Sequence, residues 1–130
     1  EQTCNLFAES RIEFLRGWIG NENHTAMALK GPMGLRGYGV IRPCKDGHKV
    51  GPLFAENKED AQALFSTLLQ SRKDQSGKVY LDVPEPNQPA LDLVKHHQMT
   101  AEFETARMYK GPIPSLNLDM TFGISSFELG

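Results

Sequence analysis

The side chains most able to do chemistry in this chain fall into three groups. Asp82 closes an apolar strand-like run, Val79 to Val83, where a carboxylate serves as a base or anchors an ammonium group. A solvated or turn-capping Asp is the plainer alternative. Lys58 stands among Glu56, Glu59 and Asp60 at the start of a helical pattern, so its ammonium meets anions in a mostly acidic setting. Glu104, Arg107 and Tyr109 recur along one stretch and can line a polar pocket, or Glu104 and Arg107 form an ordinary cross-strand ion pair. Tyr38 and Arg42 share a strand face and either meet a small acceptor or a neighbouring domain, or serve packing and surface charge. His96 and His97 are adjacent and diverge on a helix, and Cys4 and Cys44 have no ligand-spaced neighbours. No metal site is expected.

The elements that position these residues follow from periodicity. Leu6 to Ile19 reads as a helix, with Phe7, Arg11, Phe14, Leu15 and Trp18 on one face. Thr25 to Lys30 is a short apolar stretch. Leu35 to Pro43 and His48 to Ala55 form a hairpin about Asp46-Gly47, with Tyr38, Val40 and Arg42 on one face and Gly37, Gly39 and Ile41 on the other. Pro52 has no N–H to donate, so it marks an edge, a bulge or a parting of strands. Lys58 to Lys73 is the clearest helix, its stripe formed by Ala61, Leu64, Phe65, Leu68 and Leu69, with Asn57 as N-cap. Val79 to Val83 reads as a strand, Pro89 to His97 as a helix, Thr100 to Tyr109 as a strand and Leu118 to Leu129 as a last strand bulged near Ser125 and Ser126. This alternation implies a mixed central sheet flanked by helices, an α/β (α+β) class.

With 130 residues the chain reads as a single domain. A formal net charge of -2 argues against nucleic acid or an anionic membrane as partner. No apolar run approaches the roughly 20 residues of a membrane span. The start lacks a signal-peptide pattern, and Cys4 and Cys44 either form a disulfide or, the reading preferred here, stay free thiols in a reducing compartment, so the cytoplasm is expected.

In order along the chain, several blocks resemble the GNAT N-acetyltransferase superfamily. Tyr38-Gly39-Val40-Ile41-Arg42-Pro43 looks like its third strand, Val50-Gly51-Pro52-Leu53-Phe54-Ala55 like its fourth and Leu81-Asp82-Val83 like its fifth. Asn87, Ala90 and Leu93 fit its N-x-x-A-x-x-L helix, and Phe103 to Tyr109 looks like its sixth strand. The set is most similar to the C-terminal acetyltransferase domain of YitH-like proteins. Its first strand has no counterpart, so the chain is expected to be the C-terminal part of a longer two-domain protein.

The resemblance implies an acyl-CoA N-acyltransferase-like fold and an acetyl-CoA-dependent N-acetyltransferase acting on a small amine. The fourth and fifth strands would splay, and acetyl-CoA would pair with the backbone of Pro52, Leu53, Phe54 and Ala55. Lys58 and Asn87 would also lie near the cofactor. Asp82 would act as base, and Tyr109 or Tyr80 would protonate the leaving thiolate. Tyr38, Arg42, Glu104 and Arg107 would line the acceptor pocket. The phosphate-binding position reads Glu56-Asn57-Lys58-Glu59-Asp60-Ala61 without the usual glycines, and Val94 stands where many members carry Tyr. Both departures point toward lost or modified catalysis. The alternative is a non-catalytic domain that completes the acceptor site of an upstream acetyltransferase domain of the same protein.

Overall fold

The computed structural model describes residues 11–128, and the first part of the expected Leu6 to Ile19 helix lies outside them. Its described part is α1 (Ile12–Ile19). Then follow β1 (Thr25–Gly31), β2 (Gly34–Cys44) and β3 (Gly47–Ala55), α2 (Lys58–Gln70), β4 (Lys78–Leu81), α3 (Gln88–His96) and β5 (Thr121–Gly123). A single turn of 3-10 helix, Leu118–Met120, leads into β5.

The sheet runs β1-β2-β3-β4, and β5 also pairs with β3. β1/β2, β2/β3 and β3/β5 are antiparallel, whereas β3/β4 is parallel. The helix between β3 and β4 makes the parallel connection possible, because two strands running the same way need a crossover. The expected mixed sheet flanked by helices is therefore the observed one.

α2 and α3 cover one face of this sheet. Leu53, Phe65, Leu68, Leu93 and Phe122 are at the centre of the main core, each no more than 1% exposed. Fully burying a side chain of this size contributes roughly 1.5–3 kcal/mol. Glycine lets α2 approach β2 closely: a Cβ on Gly39 would lie 2.7 Å from Cδ1 of Leu68 and 3.0 Å from Cδ1 of Leu53. Ile41, two residues on, faces the same core, and the register shift between Gly39 and Ile41 places the extra residue on β3, at Gly51-Pro52. On the opposite face Tyr38 packs on Phe54, their ring centroids 5.3 Å apart. There α1 adds Trp18, whose Nε1 donates to the Gly51 carbonyl at 3.0 Å.

Local chemistry sets the helix ends. Asn57 Oδ1 accepts from the Asp60 N–H at 2.9 Å, the expected N-cap of α2. α2 stops at Gln70, three residues short of Lys73, and Arg72 then bends back so that its Nε donates to the Leu69 carbonyl at 2.9 Å. That bond satisfies one of the carbonyls left over at a helix end.

The C-terminal third corrects the sequence reading. Residues 100–117 form neither helix nor strand, although Thr100 to Tyr109 alternates like a strand. Alternation is only a disposition; a strand also needs an edge to bond to and a face to bury. Here Phe103, Met108 and Ile113 are 69%, 87% and 78% exposed. Within the described residues the expected Leu118 to Leu129 strand, whose last residue lies outside them, shrinks to Thr121–Gly123, and the chain leaves the ladder by Ile124, just before the expected bulge.

At the far end of α3, Gln62 Nε2 of α2 reaches His97 Nε2 at 2.8 Å, beside a Phe65–His97 ring contact. The amide can donate only to an unprotonated ring nitrogen. Accordingly, burial first and the neighbouring His96 second hold His97 below the ordinary histidine pKa. A depressed histidine pKa stabilises the fold above the unfolded value, about 6.5, and that contribution is lost as the pH falls through it. The melting temperature of His97→Gln should therefore depend less steeply on pH between about 7 and 5 than that of the native chain. Parallel melting curves would remove His97 from this account.

Candidate functional site

Pro52 is the pivot of the candidate site. β3 pairs with β4 at four successive positions, from Gly47 opposite Lys78 to Val50 opposite Leu81. Beyond Val50 the two strands part, as a proline without an N–H requires of a ladder. The Gly51–Pro52 peptide bond is cis.

The space beyond the parting is taken by β5. Leu53 pairs with Gly123 and Phe54 with Thr121, on the side of β3 that β4 has left. The Ile124 N–H donates to the Asp82 carbonyl at 2.9 Å, so the same segment is bonded to both diverging strands. Pro52, Leu53, Phe54 and Ala55 are all buried. Gly51 permits the closeness: a Cβ there would lie 2.5 Å from the Ile124 carbonyl oxygen and 2.7 Å from that of Ser125.

Asn87 holds β5 in this position. Its Oδ1 accepts from the Ala90 N–H at 3.0 Å, which caps α3. Its Nδ2 lies 3.0 Å from the Leu118 carbonyl, 3.3 Å from that of Asp119 and 2.8 Å from that of Thr121. The residue is 1% exposed. Its amide therefore does two jobs inside the protein, starting a helix and gathering the turn that feeds β5.

The start of α2 is likewise closed by the chain itself. Asp60 is buried, with Asn57 Nδ2 donating to its Oδ2 at 3.0 Å. Arg36 Nη2 reaches both carboxylate oxygens, Oδ1 at 2.9 Å and Oδ2 at 2.8 Å. Arg36 Nε also lies 3.9 Å from Glu56 Oε2. An internal carboxylate thus occupies the anion-favouring end of the helix. Lys58 points elsewhere, pairing at 3.5 Å with Asp92 on α3 in an exposed contact.

Asp82 is 8% exposed and ion-paired with Lys49, whose Nζ is 2.5 Å from Oδ2. The hairpin register explains this pair. It sets Arg42 directly opposite Lys49, and two facing cations favour a carboxylate nearby. Arg42 places its guanidinium carbon 5.3 Å from the Trp18 ring centroid. Tyr80 donates its hydroxyl to Asp46 Oδ2 at 2.7 Å, and that hydrogen bond is the main cause of a pKa pushed up to about 12.

The residues expected on the sixth strand do not gather around Asp82. Glu104, Arg107 and Tyr109 lie in the exposed 100–117 stretch, where Arg107 Nη1 approaches Tyr109 Oη at 3.4 Å. Glu104 and Arg107 form no ion pair with each other among the described residues. Tyr38, by contrast, is buried against Phe54. The structure thus brings Asp82, Arg42 and the Pro52 to Ala55 strand to one region, and leaves Lys58, Glu104, Arg107 and Tyr109 outside it.

Sequence reasoning missed Arg36, Lys49 and Trp18. Lys49 was within reach, since pairing about Asp46-Gly47 predicts its position opposite Arg42. Arg36 and Trp18 carry no such local signal. Among the described residues no group of three or more His, Cys, Asp or Glu side chains could hold a metal ion. No helix among them is long and apolar enough to cross a membrane.

Comparison with known proteins fits this geometry. Residues 3–123 match a family described as an acetyltransferase (GNAT) domain. The chain belongs to the GNAT acetyltransferase domain family. A holothin acyltransferase of Pseudoalteromonas sp. (strain SANK 73390) is 29% identical to this GNAT domain over 120 residues, which is 92% of this chain and 40% of the relative. The chain thus spans well under half the length of that relative. No solved structure matches it.

If Asn87 holds the wedge closed, Asn87→Ala removes a helix cap and three further donor contacts. The cost expected in urea denaturation is about 2–4 kcal/mol. Hydrogen exchange should quicken at Phe122 and Ile124 ahead of the β1/β2 hairpin. A variant as stable as the native chain would deny Asn87 this role.

Proposed function

We propose that this chain is a domain of an acetyl-CoA-dependent N-acyltransferase acting on a small amine, and that it shapes the acceptor side while another GNAT domain of the same protein holds the acyl donor. Membership of the family supports acyl transfer, since GNAT domains take acetyl-CoA as co-substrate. The acyltransferase named for holothin supports the same chemistry, and the acceptor of this chain is left as a small amine of unspecified identity. The resemblance to the C-terminal domain of YitH-like proteins is the basis for placing it second in such a protein.

The observation that carries the division of labour is the ladder between β5 and β3. For a pantetheine arm to pair with Leu53 and Phe54, their outward backbone groups must be open, and Gly123 and Thr121 already pair there. The residues at the start of α2 do not fit a pyrophosphate either. Asn57 takes up the Asp60 N–H, and Asp60 sets a buried carboxylate where the phosphates would need N–H groups. Opening the wedge would also bring Phe122, 1% exposed, out of the core. In this reading no step of acetyl transfer is routed through this domain's own slot.

A second reading, in which this domain is itself the N-acetyltransferase, is favoured by the parting of β3 and β4 at Pro52. There the thioester would lie in the wedge once β5 withdrew, with Asp82 at its rim as base and Tyr109 as acid. That reading requires Asp82 to leave Lys49.

Calorimetry of the chain with acetyl-CoA separates the two. The acceptor-side role expects no saturable heat up to millimolar ligand. Micromolar binding that weakens in Lys58→Glu would overturn it and make this domain the catalytic one. In a longer protein that carries the domain, Arg107→Ala or Tyr109→Ala should raise the amine KM about tenfold, equivalent to roughly 1.4 kcal/mol, with little change in kcat. An unchanged KM for both variants would count against acceptor-side shaping.

A further inference from the structure

The face of the sheet that carries α1 holds a cation with no ion-pair partner within 4 Å among the described residues. Arg42 lies opposite Lys49 in the β2/β3 register, and Lys49 is neutralised by Asp82 at 2.5 Å. Among the described residues Arg42 makes no hydrogen bond and no ion pair within 4 Å, and its Nε is buried without a partner. The guanidinium lies over the Trp18 ring, and Trp18 is fixed in turn by its bond to the Gly51 carbonyl. Ser125, which backs onto Gly51, also buries its hydroxyl without a partner. Buried polar groups are nearly always paired, so unsatisfied ones gathered around Trp18 and Gly51 call for an explanation.

We infer that Arg42, seated on Trp18 beside the Lys49–Asp82 pair, is a binding site for a small monocarboxylate. The fork of a guanidinium matches the two oxygens of a carboxylate, and the indole beneath holds the guanidinium in place. Charge selects the class. Asp82 and Glu128 lie nearby and disfavour a dianion such as phosphate more strongly than a single negative charge. The local field still favours an anion: Glu128 is held below the usual carboxylate range, by its Ser126 hydroxyl bond first, with Lys49 and Arg42 adding to the effect. The site is independent of the acyl-donor slot, so it stands whether or not this domain binds acetyl-CoA.

Trp18 is the only tryptophan in the chain, so its fluorescence reports on this site alone. Titration of the chain with sodium acetate, against sodium chloride at matched ionic strength, should give a saturable change in the millimolar range. Acetamide should give none, and inorganic phosphate a weaker one. Arg42→Gln should abolish the response. Arg42→Lys, which keeps the charge without the fork, should weaken it about tenfold, the loss of roughly one charge-assisted hydrogen bond. Glu128→Gln should tighten it by removing a competing carboxylate. A response no larger than that of chloride, or one that persists in a folded Arg42→Gln chain, would overturn the assignment. Equal binding of phosphate and acetate would overturn the choice of a monocarboxylate.

Discussion

A proline cannot donate to a ladder, and in this protein that constraint falls in the middle of the central strand. β3 bonds to β4 only as far as Val50, and after Pro52 its outer edge has to be satisfied by something else. The chain supplies its own answer in β5, a strand of only three residues. Those residues bring Phe122 into the core and tie both diverging strands together through Leu53, Phe54 and Asp82. Much of the remaining architecture serves that closure. Asn87 gathers the turn before β5, and Gly51 leaves room for the carbonyls that follow it.

The same pattern recurs wherever the family would meet its co-substrate. The backbone edge that would receive an extended arm is paired with β5. The helix end that would receive phosphates holds Asp60, clasped by Arg36 and Asn57. The carboxylate that would receive an amine holds the Lys49 ammonium. Each substitution is chemically apt, with strand for strand-like amide, carboxylate for phosphate and ammonium for amine. A domain that satisfies these groups internally keeps the fold without depending on a ligand. Internal satisfaction is the physical basis for the proposal that it serves the acceptor side of an acyltransferase.

The unsatisfied groups are correspondingly informative. Arg42 lies on the opposite face from α2 and α3, over Trp18 of α1, and Ser125 backs onto Gly51. The stretch 100–117 exposes Phe103, Met108 and Ile113, side chains that ordinarily seek burial.

The sequence by itself determined the local elements and their order. Helical stripes, the Asn57 cap, the Asp46-Gly47 hairpin and the break at Pro52 depend on neighbours a few residues apart, so they are written in spacing and side-chain type. The family resemblance was legible for the same reason, since its motifs are short blocks in sequence. Only the tertiary structure decided what fills the parting at Pro52, because that needs residues some seventy positions apart to meet, Leu53 with Gly123 and Phe54 with Thr121. It alone decided that Asp60 answers to Arg36 and Asp82 to Lys49, and that an alternating run from Thr100 to Tyr109 finds no edge to join. Pairing over such distances depends on how the sheet closes, and no window of local sequence records that.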